Sequence, residues 1–188
     1  NKYQSLREMI SKTSPKEKRM NTTYKKYSIK KNDFKFWGHN CFSITNGRTV
    51  LVIDPWFSNS GAFFGSWFQY PKNHQFSNDI LNLLKEGVKS YVFISHEHQD
   101  HYDKEFLTLL PKNVRIIIPN YSDKNFRNEL SETFISVIEL EDNKEFLLDD
   151  DINIRLYIKD IGITHDSSIL VKTEEFVFFN QNDCKVFD

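Results

Sequence analysis

The stretch that most constrains this chain is His96-Glu97-His98-Gln99-Asp100-His101, which directly follows the apolar run Tyr91-Val92-Phe93-Ile94-Ser95. The run has the composition of a buried strand, and a helical pattern follows the histidines. Four side chains able to bind a metal therefore leave one strand end within six residues. A divalent ion such as zinc takes imidazole nitrogens and carboxylate oxygens at about 2.0–2.2 Å. Side chains on a strand alternate with period two, so a His-x-His pair at a strand end sends both rings to one side. Asp100 and His101, on the turn that follows, can face a second ion. A histidine-rich surface loop is the bland alternative. The density of ligand types at this spacing favours the metal site.

The surrounding pattern predicts a mixed α/β fold. Cys41–Thr45 and Thr49–Ile53 flank Asn46-Gly47, a strong signal for a hairpin. Ser77 is expected to cap a helix that runs through Ile80, Leu81, Leu83 and Leu84 and stops at Gly87. Short helices are expected over 103–110 and 122–130, and a strand over 114–118. β runs near 134–139, 144–148, 152–158, 168–172 and 176–180 follow, and residues 3–20 form a weaker helical candidate broken by Pro15. A hairpin, then alternating helices and strands, then a β meander suits a layered α/β sandwich.

Charge is unevenly placed. Residues 1–31 hold ten Lys or Arg against Glu8 and Glu17, a net of +8, which leaves −9 for the rest of a chain whose total is −1. We read residues 1–32 as a basic N-terminal arm and 33–188 as the folded domain. Such an arm either reaches nucleic acid or an anionic membrane surface, or is a solvated helix or terminus. No apolar run is long enough for a membrane span and nothing resembles a signal peptide. With only Cys41 and Cys184, no disulfide framework is available, and a reducing cytoplasm is the default expectation.

The His-x-His-x-Asp-His motif resembles that of the metallo-β-lactamase superfamily, an αββα sandwich with one or two metal ions at the edge between its sheets. By that resemblance His96, His98 and His165 hold one ion, Asp100 and His101 hold the other, and Asp183 bridges them. The superfamily usually supplies a last histidine beyond the bridging aspartate, whereas this sequence ends at Asp188. The expectation is a sandwich incomplete at its C-terminus, its first half and the start of its second, belonging to a longer protein. Phe36-Trp37-Gly38-His39-Asn40-Cys41-Phe42 and Asp54-Pro55-Trp56 are similar to the early strand and turn of the branch holding ascorbate-6-phosphate lactonase and N-acylphosphatidylethanolamine phospholipase D. There Asp54 would accept hydrogen bonds from ligand histidines and fix their tautomer. His39 either lines the site as a supporting residue or is satisfied by backbone partners.

Asp54-Pro55-Trp56-Phe57 with Gly61-Ala62-Phe63-Phe64-Gly65-Ser66-Trp67, and the later Asn180-Gln181-Asn182-Asp183-Cys184, are similar to the metal domain of CMP-N-acetylneuraminate hydroxylase-like proteins. The Rieske iron–sulfur centre of those enzymes needs Cys-x-His and Cys-x-x-His, which neither Cys41 nor Cys184 begins. Segment 56–77 either walls the cleft, with Trp56, Phe57 and Trp67 against the apolar or sugar-ring part of a substrate, or packs as a satellite core.

The resemblance implies a hydrolase that uses a metal-bound hydroxide on an ester, lactone or phosphodiester bond, with Asp100 orienting the nucleophile. Two divalent ions are expected, zinc first, with manganese or iron able to fill a mixed His/Asp set. A small-molecule or lipid-like substrate and a further domain of the same protein are the expected partners. Two alternatives stand beside hydrolysis: a metal-binding sensor or interaction module of a larger protein, and a di-iron redox enzyme on the same ligands.

Overall fold

The computed structural model describes residues 32–162 and 165–184. The helical candidate at 3–20 and almost all of the basic arm lie outside them. Among the described residues, ten strands form two sheets. The first has the order β1 (Asp33–Gly38), β2 (Cys41–Thr45), β3 (Thr49–Ile53), β4 (Lys89–Phe93), β5 (Arg115–Pro119), β6 (Val137–Leu140). β1 to β3 form an antiparallel meander, and β3 to β6 run parallel. The second sheet is antiparallel in the order β10 (Val177–Asn180), β9 (His165–Lys172), β8 (Ile152–Asp160), β7 (Glu145–Asp149). Helices α1 (Ser77–Glu86), α2 (Lys104–Leu107) and α3 (Asn125–Thr133) lie in the connections between the parallel strands.

Strand alternation builds two cores from one sheet. Val50, Val52, Val92, Ile94, Ile116 and Ile118 point to the helix side and pack with Ile80, Leu84, Phe106, Phe126 and Leu130. Their neighbours Leu51, Ile53, Tyr91, Phe93 and Ile117 point the other way, onto Ile152, Ile154, Leu156, Ile169 and Val171 of the second sheet. The parallel strands are buried on both faces and read as near-continuous apolar runs, whereas β8 alternates between buried and half-buried residues. Truncating the fully enclosed Phe93 to Ala would cost about 3–5 kcal/mol.

Local chemistry explains most element boundaries. The β2–β3 hairpin forms as the Asn46-Gly47 signal predicts. The Asn46 Oδ1 accepts from the Arg48 and Thr49 amides at 3.0 and 2.7 Å, and Gly47 takes φ +88°. Helix α1 ends at Gly87, but Ser77 is its first helical residue and not its cap. Phe76 holds the cap position, and no side-chain cap bond is made there. Asp103 does cap α2, its carboxylate accepting from the Phe106 amide at 3.0 Å. Its other oxygen accepts from the Phe57 and Ser58 amides, tying the aromatic segment to the helix layer. Among the described residues no helix is long and apolar enough to cross a membrane.

Candidate metal centre

Three consecutive parallel strands deliver the site at their C-terminal ends, where α/β sheets place their ligands. Asp54 follows β3, His96 to His101 follow β4, and Tyr121 follows β5. Asp54 is fully buried and holds φ +41°, a left-handed conformation costly for a residue other than glycine. That backbone aims its carboxylate under the histidine loop. Oδ1 accepts from the Ser95 amide at 2.8 Å. Oδ2 lies 2.7 Å from the Ser95 hydroxyl, 3.1 Å from His101 Nδ1 and 3.2 Å from Asn182 Nδ2.

These contacts set the direction of two imidazoles. With the Ser95 hydroxyl donating to Asp54, its oxygen is free to accept from His96 Nδ1, 3.0 Å away. His101 Nδ1 donates to Asp54 directly. Both rings are then left with Nε2 facing outward, His96 through a serine relay and His101 without one. His101 Nε2 is buried and has no hydrogen-bond partner, although Asp100 Oδ2 and Asp183 Oδ2 lie 3.4 and 3.6 Å away. A buried nitrogen left unsatisfied between two carboxylates is what a cation-binding position requires. One turn supplies the rest of the local geometry: the His98 carbonyl accepts from the His101 and Tyr102 amides at 2.9 and 2.7 Å. The exposed His98 brings Nδ1 to 2.8 Å from His96 Nε2.

Asp183 arrives from the turn after β10. Asn182, at φ +57°, donates to Asp54 and accepts from the Asn40 amide group, which pins that turn across the site. Asp183 Oδ2 then sits 3.9 Å from His96 Nε2 and 3.6 Å from His101 Nε2. Among the described residues, two groups of side chains could each hold an ion: His96, His101 and Asp183, and His39, Asp100 and His101. The donor set fits a divalent ion of the zinc, manganese or iron type.

His165 belongs to neither group. The β8–β9 register pairs it with Asp160, and its Nε2 lies 3.4 Å from the Asp160 carboxylate while its ring stacks on Tyr121 at 4.9 Å. The next residue, Asp166, instead comes within 3.6 Å of His96 Nδ1. The aromatic segment divides between the two roles foreseen for it. Phe57 turns into the helix-side core against Phe106 and does not face the site. Trp56 is buried, its ring edge-on to His39 at 4.9 Å. Trp67 is half exposed, 6.2 Å from His39 and stacked on Phe63, which is itself 6.2 Å from His98. A small hairpin closed by Ala62 and Trp67 carries these two rings to the rim.

The charges are strongly coupled. Burial lowers His96 to about 4, helped by the neighbouring His101, so this ring is neutral at pH 7. Burial also opposes charge on His101, but the carboxylates of Asp100, Asp183 and Asp54 outweigh it and push the ring up to about 12. Asp100 is likewise opposed by burial, and the neighbouring His101 and His39 rings hold its carboxyl well below the usual range. Burial and the nearby Asp183 push Asp166 up to about 6. In this form a proton on His101 supplies the positive charge that the surrounding carboxylates demand.

Sequence reasoning missed Ser95, Asp166 and Asn182. Ser95 stands next to the motif and could have been flagged. Asp166 and Asn182 carry no local signal, because only tertiary packing brings them in.

Comparison with known proteins agrees with this architecture. The family model described as a beta-lactamase superfamily domain matches residues 33–170. Proteins of Mycolicibacterium smegmatis and Mycobacterium tuberculosis described as Rieske 2Fe-2S iron–sulfur proteins are each 30% identical over 159 residues. The match covers 80% of this chain but only 29% and 30% of those relatives. Among solved structures, the diiron β-hydroxylase CmlA of Streptomyces venezuelae superposes with a TM-score of 0.57 at 19% identity, over 80% of this chain and 29% of that one. A protein of Veillonella parvula described as a possible metal-dependent hydrolase gives 0.53 at 17% identity, over 78% of this chain and 60% of that one. An isothiocyanate hydrolase from Delia radicum gut bacteria gives 0.51 at 17% identity, over 75% and 58%. The family match and these shared folds identify the chain as a member of the beta-lactamase superfamily, in its metallo-β-lactamase fold.

Proposed function

We propose that the chain is a metal-dependent hydrolase acting on an ester, lactone or phosphodiester bond. The observation that carries this reading is the Asp54 carboxylate, which turns the Nε2 atoms of His96 and His101 toward Asp100 and Asp183. Residues in all the sequence-derived ligand positions except His165 lie within one cluster of side chains, with His98 reached through His96. Zinc is the first choice for the imidazole-rich set, with manganese or iron as substitutes. When bound, the ions would supply an acidified water and a Lewis acid for the oxyanion that develops.

The chain's own groups divide the remaining work. Asp100, held anionic, accepts a hydrogen bond and orients the attacking water. His39 and His101 flank that carboxylate and keep it in place. Trp67 and Phe63 form an apolar rim for a small-molecule or lipid-like substrate. A cytoplasmic setting and further domains of the same protein complete the reading, together with nucleic acid or an anionic membrane as a lesser partner of the basic arm.

A panel of phosphodiester, lactone and ester substrates, assayed on the metal-loaded chain and on its His98→Ala and His101→Ala variants, tests the proposal. Turnover abolished in both variants supports it. Stoichiometric metal with no turnover on any substrate favours a binding module. The fold shared with a protein described as a diiron β-hydroxylase favours a second reading, oxidation at a di-iron centre. Iron retained through purification with oxygen uptake in place of hydrolysis would select it. The name of the mycobacterial relatives refers to a Rieske centre, for which this chain holds no Cys-x-His ligands.

A further inference from the structure

We infer that His39 is a metal-ligating residue that completes a second subsite with Asp100 and His101. The inference rests on the metal-centre reading above and adds to it a ligand from the far end of the sheet.

Three observations carry it. The first is distance. Ligand atoms bound about 2.1 Å from a four-coordinate ion sit roughly 3.4 Å from one another. His39 Nε2 lies 3.2 Å from Asp100 Oδ2, and His101 Nε2 lies 3.4 Å from the same oxygen. All three atoms fall within 4.8 Å of one another. The two separations to Asp100 match those across a coordination polyhedron.

The second is stoichiometry of lone pairs. His101 is shared between the two groups of ligand atoms, yet its Nδ1 is committed to Asp54 and its single Nε2 can bind only one ion. If His101 served with His96, Asp100 would keep no imidazole but His39. If His101 serves with Asp100, the first subsite still has His96, with the adjoining His98, and Asp183. The second arrangement gives both subsites at least two exclusive donors. His39 then adds a third exclusive donor to Asp100 and His101 in the second subsite, while Asp183 lies between the two.

The third is the way His39 is held. Its backbone sits at φ +46°, in the left-handed region, within the two-residue turn between β1 and β2. Gly38 before it takes φ +110° where the β1–β2 register shifts, and a Cβ there would meet the Asn73 side chain at 3.1 Å. Trp56 and Trp67 flank the ring edge-on, and it remains about a quarter exposed to the cleft. His39 thus presents Nε2 to the open side of Asp100, where a cation reaches it from solvent.

Cobalt(II) titration of the metal-free full chain, followed by its visible absorption and by calorimetry, tests the assignment on wild type and on His39→Asn. Asparagine tolerates positive φ but reaches only as far as the imidazole Nδ1, whereas the longer amide of His39→Gln extends to where Nε2 lies and still offers Asp100 a hydrogen bond, so a purely positioning role survives the glutamine substitution. Circular dichroism of both proteins checks that the fold is kept, and His39→Gln provides a second test should the asparagine variant misfold. The assignment predicts two binding phases in wild type. In the variant one phase should weaken beyond the roughly 10–100-fold typical of losing a supporting hydrogen bond, with a changed cobalt spectrum for that phase only. Two phases of wild-type affinity and unchanged spectrum would overturn it. A wild-type chain that binds no cobalt would overturn the metal-centre reading itself, a distinguishable result.

Discussion

Replacing Asp54 with Asn keeps the size of the side chain and removes its charge, and the structure sets what that should cost. The carboxylate receives four donors: the Ser95 amide on Oδ1, and the Ser95 hydroxyl, His101 Nδ1 and Asn182 Nδ2 on Oδ2. An amide has one acceptor oxygen, so at least one donor must go unpaired. In the better orientation the oxygen stays beside Oδ2's three partners and the new NH2 faces the Ser95 amide. One buried N–H is then orphaned, at about 1–3 kcal/mol. The bonds that remain lose charge assistance, which makes them roughly half as strong. Together these give a loss of about 3–5 kcal/mol, the range for breaking a buried ionic contact. Set against about 5–15 kcal/mol for a typical domain, the change is easily measured. Urea unfolding in the presence of a chelator, followed by tryptophan fluorescence, should show a lower midpoint with an unchanged slope. The surface variant Glu86→Gln should match wild type. A loss below about 1 kcal/mol for Asp54→Asn would refute the view that this carboxylate organises the loop.

Three further outcomes follow from the same contacts. His101 is raised from an unfolded value of about 6.5 to about 12, so its contribution to the metal-free fold is complete below pH 6.5 and declines as pH rises toward 12. Chelated protein should therefore lose on the order of 1–3 kcal/mol between pH 6.5 and 9, and His101→Gln should flatten that slope in denaturant titrations. Metal uptake at pH 7 should release a proton from the same ring, read as a buffer-dependent enthalpy in calorimetry, and affinity should rise with pH. Asp103→Ala leaves the amides of Phe57, Ser58 and Phe106 without their acceptor, which should cost about 2–4 kcal/mol and expose the 57–70 segment to limited proteolysis.

What the sequence made legible divides along contact range. The His-x-His-x-Asp-His loop reads clearly because its side chains are neighbours on one strand end, and the apolar runs beside it fix that strand in the sheet. The Asn46-Gly47 hairpin and the stop at Gly87 are local conformational signals of the same kind. Asp54 was visible through its Asp-Pro-Trp turn, though not the serine relay by which it orients His96. His165 stands apart from the two candidate groups. A one-residue difference in how a β hairpin closes decides whether a histidine or its neighbour faces the site, and here Asp166 approaches His96. Phe57 and Trp67 had equal claims as aromatic residues of one segment. Asp103, invisible as an anchor in sequence, turns the first into the core and leaves the second at the rim. Asn182 reads as an ordinary turn residue, and its bond to Asp54 exists only because β10 ends above β3.

The claim at the centre of this account is that Asp183 joins the histidine loop in one centre holding two metal ions. Elemental analysis of the full chain beside its Asp183→Ala variant tests it most directly. Two equivalents of metal per chain in wild type, falling sharply in the variant, are the predicted result. One equivalent or none in wild type, unchanged by the substitution, would contradict it.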